Sequence, residues 1–340
     1  MKKYFSLTVA CIALFLCSCK KEDLNGPILN SATSPGTSAE AATAFKPSQM
    51  VNYGALIGAP DPASTMSFQL SVANKIGISS LRIRVIVPSN NKVPILNQGY
   101  KILLNFNNSE YKGTPIPFAS DLTKYQSDLK RLLSGFTTMP AVAVIENEES
   151  NLSYYSGTAQ EYIKLLSTAI PVMHANGIKV ANGGLTSTGL NYLVYKDFMN
   201  RGKVDSATAF QQRTHLAVNN AQTQNRGAFI DALLQAYTNM DLDYVNFHWK
   251  GTSPDTQDLS AVINYLKKRT GKPIISNELG QFDTDPNTLL SLVQLCTDKG
   301  FPYIVWFSPD ENAGNKDIPL QHSDQSLTAT GIAFKNYLHN

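Results

Sequence analysis

Pro140–Ser150 reads P-A-V-A-V-I-E-N-E-E-S, in which five apolar residues, Ala141 to Ile145, stop at an Asn set among Glu146, Glu148 and Glu149. A run this short and apolar at every position suits a parallel strand buried on both faces, because alternation appears only where one face meets water. An Asn-Glu pair at the carboxyl end of such a strand would stand where barrel enzymes gather their chemistry. Taken alone, the acids could equally form a solvated turn, so the rest of the chain has to decide.

Outward from this stretch, apolar or β-branched runs alternate with longer stretches of helical period, the signature of β/α units around a parallel sheet. Eight strand-like runs can be counted: Val51–Gly58, Ser80–Val87, Tyr100–Phe106, Ala141–Glu146, Ile178–Gly183, Asp243–Trp249, Pro273–Asn277 and Tyr303–Phe307. Eight is the number that closes a barrel, so the expected fold class is α/β, a single-domain (β/α)8 TIM barrel. Helices are expected over Ala63–Lys75, Leu122–Leu133, Ala159–Ala175, Leu259–Arg269, Asn287–Asp298 and Ser326–Leu338, several followed by the Gly that ends a helix. In the second unit, Pro88–Gln98 is too short and Pro-interrupted for a full helix. After the fifth strand the pattern swells: Leu190–Met199, Ser206–Ala217 and Ala228–Tyr237 all read as helices, an enlarged insertion over residues 185–240. Extra helices after a barrel strand shape a cleft or merely fill space.

The amino terminus reads differently. Lys2 and Lys3 precede an apolar run from Leu7 to Leu16, too short to span a bilayer and typical of a signal peptide. Its end, Leu16-Cys17-Ser18-Cys19, resembles the lipobox of bacterial lipoproteins, which implies cleavage after residue 18 and a lipid on Cys19. Lys20-Lys21-Glu22-Asp23 resembles the charged tag of surface-exposed Bacteroidota lipoproteins. Residues 19–47, rich in Gly, Pro, Ser, Thr and Ala, read as a flexible tether, and 48–340 as the barrel. The expectation is an exported outer-membrane lipoprotein, facing the cell surface and touching the membrane only through its lipid.

Composition limits what such a domain could do. The chain is 43% hydrophobic and 16% charged, ordinary for a globular protein, with a net charge of +3. Without Lys2 and Lys3, 27 basic residues face 26 acidic ones, a net charge of +1 that makes no case for nucleic acid. Of four cysteines only Cys296 would remain free after processing, and its setting, L-L-S-L-V-Q-L-C, is that of a buried helix face. The histidines His174, His215, His248, His322 and His339 show no metal-ligand spacing, and no Gly-rich phosphate loop follows the first strand. Neither a metal nor an organic cofactor is expected, and the chain is expected to act as a monomer.

A second Asn-Glu, Asn277-Glu278 within K-P-I-I-S-N-E-L-G-Q-F, ends the seventh run. Two carboxyl groups from distant strands are the equipment of glycoside hydrolysis, one protonating the leaving oxygen while the other attacks the anomeric carbon. Glutamates closing strands four and seven of an eight-stranded barrel resemble clan A of the retaining glycoside hydrolases, over the whole domain. The resemblance implies Glu148 as acid/base, Glu278 as nucleophile and Asn147 as a contact to the sugar's 2-hydroxyl. It also implies a carboxyl separation of roughly 5–5.5 Å. Two departures are Glu149, where the clan usually has Pro, and Asn277, where Thr or Ser is commoner.

Further segments resemble the same clan. Leu81-Arg82-Ile83-Arg84 is similar to its V-R-I segment, implying that Arg82 supports the nucleophile, with Arg84 on the same face by the two-residue period. Phe247-His248-Trp249 is similar to its His-x-Tyr segment, and Trp306 stands where the clan places an aromatic floor under the sugar. Leu104-Asn105-Phe106-Asn107 offers amides, with Asn107 a candidate hydroxyl ligand, where relatives carry Asp-x-His. The implied substrate is an oligo- or polysaccharide of unspecified sugar. The main alternative is a noncatalytic glycan-binding lipoprotein on the same scaffold. An aldolase or metal-dependent hydrolase would need a strand-end Schiff-base Lys, for which Lys250 is the only candidate, or clustered histidines.

Overall fold

A computed structural model describes residues 50–61, 64–89, 92–313 and 318–339. The leader, Cys19 and the tether lie outside the described residues. Eight strands run in order through the chain: β1 (Asn52–Ile57), β2 (Ser80–Ile86), β3 (Lys101–Asn107), β4 (Val142–Ile145), β5 (Lys179–Asn182), β6 (Val245–Gly251), β7 (Ile274–Gln281) and β8 (Tyr303–Ser308). All ladders are parallel, in the order β5-β4-β3-β2-β1-β8-β7-β6. The remaining seam is bridged by Ala181 to Tyr244 and Leu185 to Phe247, where the Leu185 amide donates to the Asn246 carbonyl at 3.0 Å. The fold is therefore the expected (β/α)8 barrel.

Helices α1 (Thr65–Ile76), α2 (Leu122–Ser134), α3 (Ala159–His174), α4 (Ser187–Asn200), α5 (Val204–Arg213), α6 (Ala221–Asn239), α7 (Gln257–Thr270), α8 (Pro286–Asp298) and α9 (Ala329–His339) complete the units. Their starts follow the local chemistry. Thr158 and Glu161 form a reciprocal capping box at α3, while Asp121, Asn220 and Asp285 cap α2, α6 and α8. Among the described residues between β2 and β3 the helical element is a 3-10 turn, Pro94–Asn97, with its proline in the first turn where it is tolerated. Three helices, α4 to α6, follow β5 in place of one.

The two-residue period of the strands sorts the core into two populations. Leu103, Val142, Val144, Ala181, Ile275, Tyr303 and Val305 fill the barrel interior, and a larger set outside packs sheet against helices. Burial of each aliphatic side chain contributes about 2 kcal/mol. Above the apolar interior, towards the carboxyl ends of the strands, the inward positions become polar: Arg82, Asn105, Asn246 and Asn277 are all buried. That change of chemistry marks the floor of the site.

One boundary differs from expectation in a way that matters. β7 runs to Gln281, four residues beyond its predicted end at Asn277, so Glu278 lies within the strand. Its register slips against both neighbours: Ile275 and Glu278 pair with Asn246 and His248 of β6, and Ser276 and Leu279 with Ile304 and Trp306 of β8. β7 thus carries one extra residue, a bulge that breaks the in-out alternation at Asn277-Glu278.

Candidate active site

The bulge lets two consecutive side chains face inward, which a regular strand forbids. Asn277 joins a buried amide layer and Glu278 stands above it. The layer is pinned at both ends by groups whose roles are fixed. Arg82 Nε donates to Asn105 Oδ1 at 3.1 Å, and Asn105 Nδ2 to the Glu146 carbonyl at 2.9 Å. Asn277 Nδ2 must then donate to Asn105 Oδ1 (3.1 Å), leaving Asn277 Oδ1 to accept from Asn246 Nδ2 (2.8 Å). Asn246 Nδ2 also reaches the Asn182 carbonyl at 3.2 Å. His248 Nε2, 2.8 Å from the same Asn277 oxygen, is therefore an N–H donor. Only Nδ1 remains to exchange a proton, and it lies 3.0 Å from Glu148 Oε1 and 3.6 Å from Glu278 Oε2. Gly184 makes room for this ring: its φ is +126°, and a Cβ there would collide with the imidazole.

Glu148 comes from the turn after β4. Glu146 and Glu148 both adopt left-handed backbone, φ +65° and +48°, at about 1–2 kcal/mol each for residues with a Cβ. The tight turn splays four consecutive side chains in different directions. Glu148 is half-buried, bound by Asn151 Nδ2 at 2.7 Å as well as by His248. Asn147 Oδ1 accepts from Arg82 Nη2, which leaves its amide nitrogen as the donor. Glu146 turns inward and is fully buried, accepting from the Tyr155 hydroxyl (2.7 Å) and the Asn108 amide (3.0 Å). Glu149, also buried, accepts from Asn182 Nδ2 (2.7 Å) and the Tyr237 hydroxyl (2.9 Å). Burial pushes both Glu146 and Glu149 up to about 7. The residue that departs from the clan pattern, Glu149, is thus a structural acid beneath the site.

Glu278 sits among cations. Oε2 accepts from Arg82 Nη1 at 2.5 Å, and Lys250 Nζ lies 3.4 Å from Oε1. Burial alone would raise its pKa, but His248, Arg82 and Lys250 overcome that and hold the carboxyl well below its usual range. One oxygen of Glu148, one of Glu278 and a His248 nitrogen all lie within 4.8 Å of one another. Such a trio could also ligate a metal, yet both Glu278 oxygens already face resident cations that a metal ion would have to displace. The arrangement is suited to an acid with an exchangeable proton opposite an ionised carboxylate.

Among the residues singled out from sequence, the structure brings together Glu148, Glu278, Asn147, Arg82 and His248. Asn107, two positions along β3 from Asn105, is buried with its Oδ1 unpartnered among the described residues. Arg84 stays on the rim, 3.8 Å from Glu110. Neither tryptophan reaches the cleft: Trp249 and Trp306 belong to the outer core against the helices, Trp306 fully buried. The alternation explains it, since Asn246, His248 and Lys250 share one face of β6 and Phe247 and Trp249 the other. On β8, Val305 faces the interior and Trp306 the helices, so the aromatic side chain at the mouth is Phe307, with Lys250 4.1 Å from its ring centroid. Sequence reading missed Phe307, the amides of Asn182 and Asn246, and the Lys250–Glu278 pair. Counting in twos from His248 would have found Lys250.

No family model and no curated protein matches the sequence. Solved structures do. A GH128 (subgroup II) endo-β-1,3-glucanase from Sorangium cellulosum superposes with TM-score 0.53 at 14% identity, over 84% of this chain and 97% of that one. A GH128 (subgroup VI) exo-β-1,3-glucanase from Aureobasidium namibiae gives 0.52 at 14%, over 84% and 96%. A family 39 glycoside hydrolase from the gut symbiont Bacteroides cellulosilyticus WH2 gives 0.59 at 15%, over 85% and 63%. What these structures share with the chain is the (β/α)8 barrel. At these identities the likeness concerns the fold, so the chemistry must be argued from the site.

Proposed function

We propose that the chain is a retaining glycosidase in which Glu278 forms the glycosyl-enzyme and Glu148 acts first as acid, then as base. The observation that carries this reading is the approach of the two carboxyl groups, one oxygen of each within 4.8 Å, with His248 Nδ1 3.0 Å from Glu148 and the cations Arg82 and Lys250 on Glu278. A retaining pair stands roughly 5–5.5 Å apart, and an inverting pair at least about 6.5 Å, leaving room for a water. Glu278 Oε1, the oxygen not held by Arg82, attacks the anomeric carbon while Glu148 protonates the departing oxygen. Water then enters, Glu148 takes its proton, and the glycosyl-enzyme bond breaks. Arg82 keeps Glu278 ionised and aimed, and His248 passes charge to or from Glu148 through Nδ1. The Asn147 amide nitrogen is placed to donate to the 2-hydroxyl.

The test is a panel of aryl glycosides and polysaccharides, with the anomer of the first-formed product read by NMR. β-1,3-Glucan, named for the GH128 neighbours, belongs in the panel. Retained configuration, with turnover at least about 10³-fold lower in Glu278→Gln, supports the reading. Inverted product would refute the mechanism. Sugar binding without turnover by the wild type would make the protein a glycan binder. In the same reading residues 1–18 are removed, Cys19 is lipidated, and residues 19–47 tether the 48–340 barrel to the outer membrane. Metabolic labelling with a fatty acid should mark the wild type and not Cys19→Ala.

A further inference from the structure

The catalytic cluster holds more positive charge than a neutral sugar calls for. Two cations, Arg82 and Lys250, stand against the one carboxylate of Glu278. Acids of the surrounding loops are engaged elsewhere: Glu110 faces Arg84, Glu311 binds His322 and Ser323, and Asp283 binds Thr288 and the Asp285 amide. Glu146 and Glu149 face Tyr155 and Asn108, and Asn182 and Tyr237.

The two cations differ in how they are used. Arg82 donates to Glu278, Asn105, Asn147 and the Asn277 carbonyl, so its fork is filled. Lys250 makes no hydrogen bond to any described residue. Its ammonium lies 3.4 Å from Glu278 Oε1, 4.1 Å from the Phe307 centroid and 5.9 Å from that of Phe282, with 23% of its side chain exposed. Beyond this ion pair, which Glu278 shares with Arg82, and the Phe307 ring, the ammonium has N–H donors left to offer a ligand at the mouth.

We infer that the sugar bound against Glu278 carries a negative charge, a uronate carboxylate or a sulfate ester, and that Lys250 recognises it. This rests on the glycosidase reading and specifies its substrate class. Because Nζ stands so close to the attacking oxygen, the anion belongs to the sugar undergoing attack, on a carbon next to the anomeric centre or across the ring oxygen from it. That means a carboxylate on C5 or a sulfate on O2. A neutral hydroxyl could accept one N–H but would leave the charge unmatched.

The experiment compares matched pairs of aryl glycosides, uronide against neutral sugar and 2-O-sulfate against free 2-hydroxyl, in the wild type, Lys250→Met and Lys250→Arg. The ratio of kcat/KM within each pair is read, so that a general loss of activity cancels. The wild type should favour one anionic member at least tenfold, Lys250→Met should bring that ratio near one, and Lys250→Arg should preserve it. The pair that responds distinguishes carboxylate from sulfate. A wild-type preference for neutral sugars, or a ratio unchanged in Lys250→Met, overturns the inference while leaving the glycosidase standing. If no glycoside is cleaved, calorimetry with free uronic acids, sulfated sugars and neutral sugars decides. A Lys250-dependent preference for the anion would sustain the recognition although the enzyme reading had failed, and no preference would overturn it.

Discussion

Substituting Glu149 by Gln should make the protein more stable at pH 8 while changing it little at pH 5. Burial raises this carboxyl from 4.5 to about 7. At ~1.4 kcal/mol per pH unit, that favours its protonated form in the folded chain by about 3 kcal/mol. Below about pH 4.5 folded and unfolded chains both carry the proton, and stability does not depend on pH through this group. From about 4.5 to 7 the unfolded chain releases the proton and the folded chain keeps it, so stability falls as pH rises; above 7 the curve flattens. Across pH 5 to 8 the loss amounts to about 2 kcal/mol. Gln keeps the oxygen that accepts from Asn182 and Tyr237 and places its amide where Oε2 has no partner among the described residues. Denaturant unfolding, followed by the fluorescence of the buried Trp249 and Trp306, would measure this at both pH values. Glu278, shifted the opposite way, adds stability that is lost only on acidification below about 4.5, outside this window. A variant with the wild-type slope, or one less stable than wild type at pH 8, would refute the assignment of Glu149 as a buried acid near neutrality.

Three other outcomes are expected. Gly184→Ala adds a Cβ at φ +126° against His248, so kcat should fall at least tenfold with the fold retained by circular dichroism; unchanged kcat would mean the ring need not stay where it is. Trp306→Phe removes packing in the outer core, lowering stability by about 2 kcal/mol while KM stays within twofold; a large rise in KM would return Trp306 to the cleft. Cys296 is fully buried and its thiol is pushed up by burial, so iodoacetamide should label it only on unfolding, a result that rapid native labelling would contradict.

The barrel was legible in the sequence because hydrophobic period is a local property. The eight strands lie where the apolar runs put them, mostly within two residues, and the swollen fifth unit lies where three helical stretches stand in place of one. The two Asn-Glu pairs were legible as candidates too, although Asn277-Glu278 lies within β7 and not at its end. Facing was harder. Strict alternation, applied from His248, sends Trp249 outward, and counted from Val305 it sends Trp306 outward too, although both tryptophans stand near strand ends.

What the sequence determined by itself is the element order and the closure number, since each depends on residues near one another along the chain, and it singled out Glu148 and Glu278 as the carboxyls to look for. What only the tertiary structure decided is direction and protonation. The β7 bulge turns Asn277 and Glu278 inward together, and left-handed turns at Glu146 and Glu148 send four neighbouring acids and amides different ways. The proton on His248 Nε2 is fixed by a chain of amides drawn from β3, β5, β6 and β7, anchored by Arg82 from β2. No local pattern encodes these features. A bulge is a register shift between strands far apart in sequence, and a tautomer is set by partners that meet only when the barrel closes.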